Sequence, residues 1–132
     1  MNQSKNCELS FDFKSIENLE VVITKITGVI DLVTLPEIGD KFRSNIPLEF
    51  DGNVIFDLSE ADDQLTDDDG TKVFEQVFKA RYFLRKRYAV VHNDASVNRS
   101  RKYFQAALER EGVEGRDFSS VDDAVKWLKF GD

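Results

Sequence analysis

Sulfur chemistry is nearly missing from this chain: one cysteine, Cys7, and one methionine. A lone thiol forbids an internal disulfide, so packing and hydrogen bonds must hold the fold, and a reducing, cytoplasmic setting is expected. Apolar runs never exceed a few residues, which excludes a membrane-spanning helix. The opening MNQSKNCELS has no apolar stretch of the signal-peptide kind, so no secretory leader is expected. Two prolines and seven glycines punctuate 132 residues, without repeat, low-complexity tract or linker. One domain over residues 1–132 is expected, with its first residues, Cys7 among them, loose. Basic residues are in deficit, 18 against 25 acidic ones, for a net charge of −7. Phosphate backbones are held by basic surfaces, so nucleic acid is an unsuitable partner. His92 is the one histidine, and no serine or cysteine elbow accompanies it. No catalytic triad can be assembled, and no catalytic residue is assigned.

What is present is a globular composition, 41% hydrophobic and 33% charged. Leu9, Phe11 and Phe13 alternate with Ser10 and Asp12, the period of a half-buried strand. After a break at Ser15 to Asn18, the β-branched run Val21 to Ile26 predicts a longer strand, and the short connection makes the two an antiparallel hairpin. Thr34, with Glu37 three residues on and Pro36 in the first turn, reads as a capping box. Leu35, Ile38, Phe42 and Ile46 form the inner stripe of that helix, which Pro47 stops.

Asn53 to Gly70, NVIFDLSEADDQLTDDDG, is the stretch around which the rest is arranged. Val54, Ile55 and Phe56 predict a buried strand that ends at Asp57 in an acidic loop. A helix is expected over Thr66 to Arg87, with Val73, Phe74, Val77, Phe78 and Leu84 inward, acids at its amino end and Arg85 to Arg87 at its carboxyl end. Tyr88 to Val91 reads as a buried strand and Ser96 as the cap of a helix ending at Gly112. A last strand falls near Val113 to Phe118, and Ser120 with Asp123 opens a final helix carrying Val121, Ala124, Val125 and Leu128. The order β-β-α-β-α-β-α-β-α predicts an α/β fold, a mixed and mostly parallel sheet of about five strands covered by about four helices. Sites in such folds gather where carboxyl ends of strands meet amino ends of helices.

Three local patterns accompany that order: Gly28 leading to Thr34-Leu35-Pro36-Glu37, Asp57-Leu58-Ser59 followed by an acidic turn ending in Gly70, and Phe118 to Leu128. Together they resemble the SpoIIAA-like branch of the STAS families. The resemblance covers nearly the whole chain. It implies a SpoIIAA-like fold and an anti-sigma antagonist-like, non-enzymatic module, with a wider relation to CRAL-TRIO lipid-binding domains. It also implies a protein partner, a kinase-type or anti-sigma-type regulator, and is compatible with a homodimer. In the antagonists a serine after the central strand is phosphorylated; here the matching turn reads Thr66-Asp67-Asp68-Asp69-Gly70 and holds no serine. The phospho-switch is therefore not carried over, although Thr66 offers a nearby hydroxyl and Asp68 or Asp69 a permanent negative charge.

Partner-binding residues are accordingly placed at Ser59, Thr66, Asp67, Asp68, Asp69 and Gly70. The acids there read as dipole partners and caps rather than metal ligands, because an EF-hand aligned on Gly70 would put Leu65 and Gln76 at ligand positions. No metal or cofactor is expected. Ser96, Asn98, Arg99 and Arg101 form an anion-binding candidate, a helix start beside basic residues, set against the plainer reading of a solvated face. His92 reads as a strand-end histidine bonded to local backbone. Eleven phenylalanines raise the alternative of a small-ligand or lipid carrier with an apolar pocket between sheet and helices, against ordinary core packing.

Overall fold

The computed structural model describes residues 7–47, 49–69, 72, 87–92 and 115–130, the side chains of residues 63 and 67 excepted. The chain begins with the expected hairpin. β1 (Cys7–Ile16) pairs antiparallel with β2 (Leu19–Ile30), from Cys7 opposite Gly28 to Ile16 opposite Leu19. Glu17 and Asn18 between them have φ of 50° and 73°, the left-handed pair that a two-residue hairpin turn needs. Cys7 is no part of a loose end: it is a strand residue, 3% exposed.

α1 (Leu35–Asn45) crosses from β2 to β3 (Asn53–Leu58), which lies parallel to β2 with Val21 opposite Asn53 and Lys25 opposite Asp57. β4 (Ala61–Asp63) then returns to β2 beyond β3, aligning Gly28 to Ile30 with Ala61 to Asp63. β5 (Tyr88–His92) adds parallel to β3, β6 (Gly115–Phe118) adds parallel to β5, and α2 (Val121–Phe130) closes the described chain. The sheet has six strands in the order β1-β2-β3-β5-β6, with β4 beside the far end of β2.

The expected mixed, mostly parallel sheet is thus present, with one more strand than the sequence suggests. The extra strand is β4, a segment that reads as loop because its ADD sequence lacks apolar alternation. Two helices lie among the described residues, not four. The helix expected over Thr66 to Arg87 and the one expected from Ser96 to Gly112 fall almost entirely outside them, and Asp67–Asp69, where the first should begin, is a 3-10 turn.

The two described helices pack on opposite faces of the sheet. Leu35, Ile38 and Phe42 of α1, with Ile46 just past its end, meet Val22, Ile26, Val54, Phe56, Tyr88 and Val90. Ala124, Trp127 and Leu128 of α2 meet Val21, Ile55, Ala89 and Val91. β3 and β5 are therefore covered on both faces, which is why they are written as unbroken apolar runs rather than as alternations. Phe42 is fully buried, its ring centroid 5.2 Å from that of Phe56, which stacks on Tyr88 at 6.1 Å. Burying one such side chain contributes about 1.5–3 kcal/mol. On the opposite face the indole of Trp127 lies 5.1 Å from the Arg87 guanidinium and 5.2 Å from that of Arg116. Arg87 also donates to the Trp127 carbonyl at 3.2 Å, so it serves the last turns of α2 while directly preceding β5.

Gly52 has a specific steric reason. A Cβ there would stand 2.5 Å from the Glu20 carbonyl oxygen, so only glycine lets the chain enter β3 this close to the start of β2.

Candidate functional site

β3 is the central strand of the sheet and delivers Asp57 to its carboxyl end. That carboxylate is 9% exposed and turns the chain outward by accepting from the Ser59 amide at 3.1 Å and the Ser59 hydroxyl at 2.7 Å. Aspartate two residues before an accepting turn commonly binds the backbone this way. Lys25, the register partner of Asp57, reaches Glu60 at 2.9 Å. The bond from Glu60, with the Glu60 and Asp57 charges behind it, holds the Lys25 ammonium protonated above the usual lysine range.

β4 then carries the chain along β2, and the Gln64 amide donates to the Ile30 carbonyl at 2.9 Å. Leu65 is 1% exposed and pins the next turn to the core. Asp69 Oδ2 accepts from the Thr66 amide at 2.8 Å and the Thr66 hydroxyl at 3.2 Å, while the Asp69 amide donates to the Thr66 carbonyl at 3.0 Å. These bonds close Thr66 to Asp69 into an acidic turn in which Asp68 is exposed and makes no ion pair among the described residues. The Thr66 hydroxyl already faces Asp69, so a phosphate on it would meet a like charge at once.

Of the six residues predicted to bind a partner, Thr66, Asp68 and Asp69 stand together on this rim. Ser59 is set apart from them: β4 intervenes, about 10 Å of strand, and its hydroxyl turns back to Asp57. The Asp67 side chain and Gly70 lie outside the described residues, as do all four anion-binding candidates, Ser96, Asn98, Arg99 and Arg101. His92 ends β5 as expected, but its bond runs to a side chain and not to local backbone: Nε2 lies 2.9 Å from Asp117 Oδ1.

The β2–α1 loop contributes residues that the sequence reading passed over. Asp31 Oδ1 accepts from the amides of Val33 and Thr34, each at 2.9 Å, and so fixes the turn just ahead of α1, whose N-cap Thr34 makes no side-chain capping bond. The Thr34 hydroxyl instead accepts from the Asp31 amide at 2.9 Å and donates to the Val29 carbonyl at 3.0 Å, and Glu37 pairs with Lys41 at 3.0 Å. The signal was legible: aspartate commonly binds the amides two and three residues on and so sets a turn. Asp117, within GRDF, carries no such local mark.

No protein-family model matches the sequence, and no curated protein matches it. Solved structures do. An uncharacterized protein of the DUF3478 family from Shewanella loihica PV-4, with a SpoIIAA-like fold, superimposes with a TM-score of 0.60 at 14% identity, over 97% of this chain and 98% of that one. An anti-sigma factor antagonist from Mycobacterium paratuberculosis superimposes with a TM-score of 0.52 at 16% identity, over 92% of this chain and 95% of that one. At these identities the likeness is one of architecture, and it agrees with the order of strands and helices described above: the chain has a SpoIIAA-like fold.

Proposed function

We propose that this chain is a non-enzymatic regulatory module of the STAS type, which captures a protein partner on the rim running from Ser59 to Gly70. The observation that carries the reading is the Thr66–Asp69 turn, held closed by its own hydrogen bonds with Asp68 exposed at the carboxyl edge of the sheet. A charge fixed in this way steers and selects a partner without an ordering cost on binding. The likeness to an anti-sigma factor antagonist supports a partner of the anti-sigma type. Among the described residues the carrier alternative is not favoured, since Phe42, Phe56 and Tyr88 pack between α1 and the sheet.

Asp69 caps the turn, so the informative variant is Asp68→Lys. Proteins captured from the native host by the wild type are expected to be lost with Asp68→Lys at an unchanged melting temperature. Equal capture by both would place the working surface elsewhere.

A further inference from the structure

The loop between β2 and α1 holds two adjacent apolar side chains in water: Leu32 is 46% exposed and Val33 79%. Consecutive exposed apolar residues on a loop are informative when the loop is built to hold them out. This one is, because Asp31 binds the amides of Val33 and Thr34 while the Thr34 hydroxyl ties the loop to the Asp31 amide and the Val29 carbonyl. The tip leaves the sheet just after Ile30, whose carbonyl accepts the Gln64 amide, so it stands beside the chain leading into the acidic turn. Of the acids on neighbouring described segments, Glu37 and Glu60 pair with Lys41 and Lys25, while Asp62 and Asp68 are exposed and have no ion pair among the described residues; the exposed Lys72 follows the acidic turn.

We infer that the Leu32–Val33 tip and the flanking carboxylates of Asp62 and Asp68 form one docking face for a cationic amphipathic segment of a protein partner, with the tip as apolar anchor and the acids selecting Lys or Arg around it. The inference rests on the regulatory reading above and names the chemistry of its partner. The alternative occupants are disfavoured by charge: an anionic lipid surface and a second copy of this chain, of net charge −7, both bring the wrong sign to the rim. Because the tip is already held in place, little conformational freedom is lost when it is covered.

The probe is a synthetic helical peptide with leucines on one face and lysines on the other, compared with a scramble of the same composition. Titrated into the isotope-labelled full chain, the amphipathic peptide is expected to move amide resonances of residues 31–34, 62 and 66–69. The double variant Leu32→Ser/Val33→Ser should bind it roughly tenfold more weakly at an unchanged melting temperature. Should that variant lose its fold, Val33→Ser at the more exposed position carries the same expectation with a smaller loss. Equal affinity for the scramble, indifference to the serine variants, or shifts confined to another face would overturn the inference. So would retention on phosphatidylglycerol vesicles, or a self-association abolished by the serine substitutions. Peptide binding that survives Asp68→Lys but not Leu32→Ser/Val33→Ser would remove the acidic-turn reading and leave the apolar anchor standing.

Discussion

His92 and Asp117 form a hydrogen bond of 2.9 Å with side chains that are 0% and 3% exposed. His92 ends β5 and Asp117 belongs to β6, a strand of only four residues. The bond therefore clips a short strand to its neighbour at the carboxyl end, next to the last ladder pair, Val91 with Phe118.

Breaking that clip should be costly, because it leaves a buried polar group without its partner. Asp117→Ala is expected to lower stability by about 1–3 kcal/mol, read as a reduced urea midpoint at constant slope. A loss below about 0.5 kcal/mol, the range of neutral surface substitutions, would show that the bond does not secure β6.

The approach to α1 offers a direct contest between two residues. Asp31→Ala removes the acceptor for two loop amides and should cost about 1 kcal/mol. Glu37→Ala removes only an exposed pair with Lys41 and should cost a few tenths of a kcal/mol, about the worth of such helix pairs. Thermal melts of the two variants decide it, and the reverse ranking would restore the capping box.

Cys7 makes stability fall at alkaline pH. Burial pushes its thiol up, the charges of Glu37 and Asp31 push the same way, and Lys41 and the Thr34 hydroxyl oppose them. A folded-state value above the ordinary thiol value of about 8.5 means that the unfolded chain ionises first. The contribution is complete below that ordinary value and is lost as the pH rises through the raised one. Between pH 7.5 and 9.5 the wild type should lose more of its urea midpoint than Cys7→Ala, which has no thiol to titrate. Parallel curves for the two proteins would deny the shift.

Several elements were legible because local sequence and final environment agree. The hairpin follows from the alternation in β1 and the tight turn at Glu17 and Asn18. The stripe of α1 is buried as its spacing requires, and the Ser120 hydroxyl accepts from the Asp123 amide at 3.1 Å to open α2. β4 was not legible, since ADD becomes a strand only because β2 outruns β3 and offers unpaired backbone beyond it. Cys7 was misplaced for the same reason: its order comes from Gly28, far away in sequence. At the candidate site the acidic turn was recognisable from its composition. The separation of Ser59 from that turn, and the placing of Ile30 beside Asp63 and Gln64, depend on strand pairing.

By itself the amino-acid order determined where the chain is apolar on one side, on two, or on neither, and hence which segments become strands and helices, because periodicity and capping act over a few residues. It left open which face each helix would cover and which distant side chains would meet. Those outcomes, α1 and α2 on opposite faces and His92 against Asp117, were decided when β3 and β5 took the middle of the sheet. Strands apolar on both sides leave water only if both faces are covered, and contacts between distant residues form only where that layering brings strand ends together.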